Sequence, residues 1–267
     1  RKIRNTFRFL LGNLRDKKMD FDLDSKEIEK WPELERFMLH QIFMLNKNFE
    51  KYFEQYNFHK LYKELFHFCS QNLSAFYFDI RKDTLYCDQI NSFKRKICIN
   101  LLSLILDLLL KWFAPILCFT TEEIYQIVNQ KKDSSIHLQS FPNIPEKWCD
   151  DKLAEKWNKI SYVRQVCNAA IEERRSSKEL GSSLEVDLEI YLSDEYLKLV
   201  KNIDLSEFCI TSGARAKLLN TEAGNLFHIE SIEGIKVLVS KAEGNKCPRC
   251  WKIVKGICER CEEATSA

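Results

Sequence analysis

The sequence predicts a mainly α protein: a helical bundle, then a small α+β unit, then a four-cysteine knuckle. Three observations carry this. Gly and Pro number only seven and five in 267 residues, against average usage of about 7% and 5%, too few for a turn-dense β fold. Apolar residues recur at helical spacing through roughly the first 150 positions and switch to alternation only near residue 184. Two CxxC pairs, Cys247/Cys250 and Cys258/Cys261, stand near the end.

The elements follow in order. Ile3, Phe7, Leu10 and Leu14 form one apolar helical face. A second helix is predicted from about Pro32, whose ring suits a first turn, to about Tyr56. A third runs from about Phe58 past Phe78, and a fourth from about Phe93 to Phe113, broken at Pro115. Thr120-Thr121-Glu122-Glu123 offers an N-cap hydroxyl and first-turn acids for a short helix to about Val128. Several long helices with short joints pack naturally as an up-and-down bundle. Between Gln130 and Asp150 the pattern lapses, with Asp133-Ser134-Ser135, Pro142 and Pro145 marking an irregular connection. A long charged helix over Leu153–Ser177 is stopped by Gly181-Ser182-Ser183. Leu184, Val186, Leu188 and Ile190 then alternate with acids, the pattern of a half-buried strand. A short helix over Glu195–Lys201 and a strand over Phe208–Thr211 are predicted next. Leu226–Ile232 and Ile235–Ser240 flank Glu233-Gly234 as a hairpin. The predicted domains are 1–150, 151–240 and 241–267.

Composition narrows the function. Hydrophobic residues at 45% and charged residues at 30% describe a soluble globule rather than a disordered chain. With 41 Lys plus Arg against 39 Asp plus Glu, the net charge of +2 excludes a globally basic nucleic-acid coat but leaves room for local basic patches. No signal peptide is legible. Ile97–Phe119 is apolar but interrupted by Asn100, Asp107, Lys111 and Pro115. A charge at a bilayer centre costs about 2.5–3.5 kcal/mol, so a buried core helix is predicted instead. The chain opens on Arg1-Lys2-Ile3-Arg4 without Met, and a piece of a longer protein is expected.

Of the 11 cysteines, seven are scattered among apolar neighbours, as small hydrophobes. The other four have the spacing of a tetrahedral zinc site, in which each knuckle aims two thiolates at one ion. Four protein ligands leave no place for water, so such a site is structural. Two disulfides fit poorly without a secretion signal, and an iron–sulfur cluster is the remaining alternative. Lys246, Arg249, Lys252, Lys255 and Arg260 lie on or beside the knuckle, with Trp251 after the first pair. A rigid basic knob with one aromatic suits nucleic acid; solvated cations around a packed Trp explain it equally well.

A second basic feature is the first helix. Arg1, Arg4, Arg8 and Arg15 fall within a stripe about 60° wide at 100° per residue. Guanidinium forks in a row suit successive phosphates; a solvated outer face of a bundle helix is the other reading.

Several segments together resemble one family. Arg1 to Leu14 resembles the helix opening the anticodon-binding domain of bacterial-type isoleucyl-tRNA synthetase. Tyr56-Asn-Phe-His59, and Phe76 to Asp83 with Tyr86, resemble later segments of that domain. Trp112 to Glu123 resembles a turn shared by the isoleucyl, valyl and leucyl enzymes. Lys178 to Leu184, Thr211 to Ala214, Ser240 to Gly244 and Cys247-Pro-Arg-Cys-Trp251 follow in the family's order. The sequence departs from the family pattern at Arg81 and Thr84.

The resemblance implies a bundle of the class Ia synthetase anticodon-binding type, in a cytoplasmic ligase that attaches isoleucine to its tRNA using ATP. This part would grip the anticodon arm of isoleucine tRNA. Its contacts would come from Arg1, Arg4, Asn5 and Arg8, and from Arg249, Trp251, Lys252 and Arg260. Cys247, Cys250, Cys258 and Cys261 would hold one structural zinc. ATP and magnesium would belong to a catalytic domain upstream, alongside an editing domain. Neither HIGH-like nor KMSKS-like signature occurs here, so no catalytic residue is assigned and the chain alone is expected to be inactive. The alternatives are the corresponding part of a valyl or leucyl enzyme, or a free-standing zinc-stabilised tRNA-binding module. Asp79 and Asp83, four apart, are expected to serve ion pairing or capping. The five histidines are expected to be surface or core residues.

Overall fold

Helix α1 (Lys2–Asn13) turns Ile3, Thr6, Phe7 and Leu10 inward and leaves Arg1, Arg4, Asn5 and Arg8 exposed, as the 3.6 period dictates. The computed structural model describes residues 1–14, 26–129, 134–219 and 226–266. Arg15, Gln130 and Asp133 lie outside the described residues.

The chain divides into two compact units, residues 1–79 with 90–151, and residues 80–89 with 152–267. The first unit is helical. It contains α1, α2 (Glu33–Glu54), α3 (Phe58–His67), a π-helical stretch (Phe68–Tyr77), the start of α4 (Phe78–Cys87), α5 (Phe93–Phe113) and α6 (Cys118–Asn129). Helix α5 is apolar nearly all round and is buried along most of its length, from Ile97 to Phe113. Its Lys111 and Asp107, 2.8 Å apart, form a half-buried i,i+4 pair. No described helix is long and apolar enough to cross a membrane. Polar groups deep in this core include partnered ones, as burial favours, while the buried Trp148 Nε1 has no partner among the described residues. Trp112 Nε1 donates to Asn46 Oδ1 at 3.0 Å, and the Tyr77 hydroxyl donates to the fully buried Glu35 at 3.1 Å.

The predicted third helix is continuous in extent but not in kind. Its middle widens to i→i+5 bonding over Phe68–Tyr77, a local departure that apolar periodicity does not report. The predicted capping by Thr120-Thr121 is also corrected. Helix α6 starts earlier, at Cys118, and the Thr121 hydroxyl bonds back to the Leu117 carbonyl at 3.1 Å. Glu122 instead accepts from the Ser135 hydroxyl at 2.8 Å and from Ile136 N–H at 3.0 Å.

The second unit is built on α7 (Asp151–Ser176) and a three-stranded sheet ordered β2-β1-β3. Strand β1 (Val186–Leu192) alternates buried and half-buried positions as its sequence predicts. It pairs parallel with β2 (Gly213–Leu218) and antiparallel with β3 (Ile235–Lys241). Two expectations fail here. Phe208–Thr211 is not a strand, because Asp204 accepts from the N–H groups of Ser206 and Glu207, both at 3.0 Å, and caps the short helix α9 (Leu205–Phe208). The strand follows as β2 instead. The predicted hairpin is absent as well: β3 pairs along its length with β1, and the preceding segment adds only a bridge from Phe227 to Val237. Helix α8 spans Asp194–Val200. The unit closes with a two-stranded hairpin, β4 (Asn245–Lys246) with β5 (Ile253–Val254), and helix α10 (Glu259–Ser266). Residues 80–89 belong to this second unit, so its boundary does not follow chain order.

Candidate metal centre and nucleic-acid interface

The hairpin β4–β5 brings the first CxxC pair to its turn, and α10 presents the second pair at its start. Two short closures shape the knuckle. Cys247 N–H donates to the Lys252 carbonyl at 2.9 Å, and Trp251 N–H donates to the Cys247 carbonyl at 3.0 Å. That ring puts Trp251 in the left-handed region at φ 67°, a strained position for a bulky side chain. Gly244, at φ 134°, is required beside it: a Cβ there would lie 2.3 Å from the Val254 carbonyl oxygen.

The ligand atoms of Cys247, Cys250, Cys258 and Cys261 lie within 4.8 Å of one another. The Sγ atoms of Cys250 and Cys258 are 3.7 Å apart. A tetrahedron with metal–sulfur bonds of about 2.3 Å has edges of about 3.8 Å. The set can therefore hold one metal ion, and its geometry and donor chemistry are compatible with zinc. The sulfurs differ in their electrostatics. Burial opposes ionisation of Cys247, yet N–H groups of Cys250 and Arg249 aim at its sulfur and bring it down to about 6. Burial pushes Cys250 and Cys258 up. A metal ion among the four sulfurs would favour their thiolate forms.

The knuckle is fastened to residues 80–89 by its arginines. Arg249 donates to the carbonyls of Cys87 at 2.5 Å and Tyr86 at 3.1 Å, capping the end of α4. Arg260 binds the Asp83 carboxylate, donates to the Asp83 carbonyl at 2.9 Å and reaches Asp88 at 2.6 Å. Cys87 packs against the four-cysteine cluster. Ile253 N–H donates to the Ser212 hydroxyl at 2.6 Å, a further tie. Arg249 and Arg260, two residues that the sequence suggests for tRNA contact, are thus occupied within the unit. Asp83 is in the ion-pairing role expected of it. The family departures Arg81 and Thr84 share another partner: both donate to Glu207 Oε1, at 2.8 and 2.7 Å. No local sequence signal joins residues 126 positions apart.

Trp251 is 60% exposed, and Lys246 lies over its ring at 5.4 Å. Lys252 is half-buried, and Lys255 pairs with Glu243 at 3.0 Å. In the first unit, the exposed arginines of α1 face α6 across a groove of about 450 Å³. Arg4 reaches Glu123 at 3.2 Å, with both side chains more than 60% exposed. Arg1 and Arg8 have no acidic partner among the described residues.

A second donor group, His40, Cys149 and Asp151, also lies within 4.8 Å. His40 Nδ1, however, accepts the Asp150 N–H at 3.0 Å. The group also sits at the positive N-terminal end of α7, which disfavours a cation.

A helical unit with a basic helix face, followed by a cysteine-held module, defines the class. A family model described as the anticodon-binding domain of tRNA ligase matches residues 35–192, and the chain belongs to that family. Its relatives carry a more particular name. The isoleucine–tRNA ligase of Pelagibacter ubique is 53% identical over 97% of this chain, a match covering 27% of that enzyme. The isoleucine–tRNA ligases of Bradyrhizobium diazoefficiens and Rhodopseudomonas palustris are 40% and 37% identical over 97% and 96% of the chain, each match covering 26% of the enzyme. The chain thus spans about a quarter of the length of the curated relatives it matches.

Proposed function

We propose that this chain grips the anticodon arm of isoleucine tRNA as one part of an isoleucine–tRNA ligase. The observation that carries the reading is the row Arg1, Arg4 and Arg8, exposed on a helix whose other face is packed. Guanidinium groups spaced along one packed helix can meet successive phosphates without the backbone having to order on binding. Asn5 lies in the same row. On the second unit, Trp251 and Lys252 are the proposed contacts, with the exposed indole as a stacking face. Arg249 and Arg260 are proposed as anchors that hold this surface still rather than as tRNA contacts.

Zinc is the proposed occupant of the Cys247/Cys250/Cys258/Cys261 site, supported by the four-sulfur donor set and its spacing. Its role is to fix the knuckle, with no open position for chemistry. Isoleucine activation with ATP and magnesium, and editing, would lie in other parts of the enzyme, whose setting would be the cytoplasm. The test is filter binding of the chain to isoleucine, valine and leucine tRNAs over a salt series. Preference for isoleucine tRNA that weakens steeply with salt supports the reading. Equal, salt-insensitive retention of all three would contradict it.

A further inference from the structure

The sheet of the second unit leaves one strand edge open. Strand β2 pairs with β1 on one side, and no strand lies on its other side among the described residues. At the opposite end of the sheet, β3 is partly covered by the bridge from Phe227 to Val237. An open edge presents a row of unpaired N–H and C=O groups, ready to bond another strand. Beside β2 lies a cavity of about 560 Å³, walled by Leu197, Val200 and Ile203 and floored by Ala214 and Ala216 of the strand. Lys198 and Lys201, both exposed, stand at its rim. Strand alternation turns Arg215 and Lys217 to the other face, where both are exposed. Edge cations alone would guard the strand against pairing. An apolar cavity along the same edge does the opposite.

We propose that the open edge of β2 takes, by strand addition, an extended segment of a partner protein in which apolar and acidic residues alternate. This goes beyond the RNA-binding reading and does not rest on it. The chemistry of the occupant follows from the strand that β2 already pairs with. On that side, β1 satisfies both faces. Its Val186, Leu188 and Ile190 are fully buried, and Asp187 and Glu189 between them lie on the face of Arg215 and Lys217. Glu189 stands opposite Arg215 in register and pairs with Lys217 at 2.7 Å. A strand added to the open edge meets the same two faces of β2. Its apolar side chains enter the cavity, which the small Ala214 and Ala216 leave unfilled. Its acids meet Arg215 and Lys217 on the other face, as opposite charges do across paired strands. Lys198 and Lys201 add positive charge that draws such a segment in. RNA would meet the cations but not a row of backbone groups at strand spacing.

The test is fluorescence anisotropy of a labelled peptide with the sequence of residues 184–190, Leu-Glu-Val-Asp-Leu-Glu-Ile, titrated with the 267-residue chain. One control peptide replaces its acids with lysine. A second keeps its composition but gathers the apolar residues at one end. The alternating acidic peptide is expected to bind about tenfold more tightly than either control, and to add amide-exchange protection along β2. Lys201→Glu with Arg215→Gln is expected to weaken it about tenfold. Both side chains are exposed, so the variant folds. No binding, equal binding of either control, or an affinity unchanged in the double variant would overturn the proposal. Protection gained on β2 but lost from β1 would mean that the peptide replaces β1, and would overturn the edge assignment. Displacement of the peptide by isoleucine tRNA would give the edge to RNA instead. Dimerisation of the chain that the double variant abolishes would put a second copy there, and would overturn the partner assignment.

Discussion

Helix α5 buries 14 of its 21 residues, nearly all apolar, whereas the described knuckle, residues 245–266, buries only Cys247, Cys250 and Cys261. The first is ordered by close packing of Leu, Ile, Trp and Phe. The second has no apolar core of its own. Its sulfur cluster, two arginine anchors and a few backbone closures take that place. Small modules that bury little surface ordinarily need such staples. Two regions of one chain therefore hold their basic surfaces by unrelated means, and they should fail under unrelated insults.

The largest effect should come from the metal. Chelation, or Cys250→Ser, is expected to take bound zinc from one equivalent to none and to unfold the knuckle. Structural zinc contributes about 10–16 kcal/mol of apparent binding energy in isolated fingers. Circular dichroism should keep nearly all of its helical signal. Zinc content unchanged in the variant would break the comparison from one side.

Trp112→Ala strikes the other side. It removes a fully buried indole and orphans Asn46 Oδ1, at a cost of about 3–5 kcal/mol. Urea denaturation of the helical unit should shift accordingly, while zinc content in the native protein stays at one equivalent. Arg260→Met sharpens the contrast. It leaves Asp83 and Asp88 without their shared guanidinium. Hydrogen bonds to charged groups contribute about 1.5–3 kcal/mol. The half-exposed site should deliver the lower end, read as faster zinc loss to chelator with helical stability unchanged.

Smaller again is Arg4→Gln with Arg8→Gln. Stability should move by less than about 0.5 kcal/mol, as at most surface sites. The slope of log affinity for tRNA against log salt should fall by about 1 for each phosphate that the variant no longer neutralises. A marked stability loss would mean that these side chains are structural.

The smallest effect is a pH dependence at the α6 end. The Gln126 amide and the Ser135 hydroxyl hold the Glu122 carboxyl below its ordinary value. Its contribution is therefore present above the usual carboxylate value of about 4.3 and is lost as pH falls through the lower folded value. Glu122→Gln should lower the melting temperature slightly near pH 6, with the difference from wild type vanishing in strong acid.

Much of this was legible in the sequence, for reasons that differ by element. Helix α5 and strand β1 announce themselves because one-sided or complete burial leaves a periodic trace. The four cysteines announce themselves because metal geometry limits their spacing. Strand β2 was missed because it lies at the sheet edge. Its Ala-Arg-Ala-Lys-Leu run does alternate, but on small alanines with poor strand propensity, and none of its positions is fully buried. The anchoring of Arg249 and Arg260 was missed because their partners lie 162 to 177 positions away. Nothing local separates an arginine that meets phosphate from one that meets a distant aspartate or a helix-end carbonyl.

Amide hydrogen exchange of the whole chain, with zinc bound and after chelation, tests the central contrast most directly. Chelation should abolish protection over residues 245–266 and weaken it at the end of α4, where Arg249 and Arg260 are fastened. Protection across α5 should not change. Equal loss of protection in α5 and the knuckle, or none in either, would contradict the account.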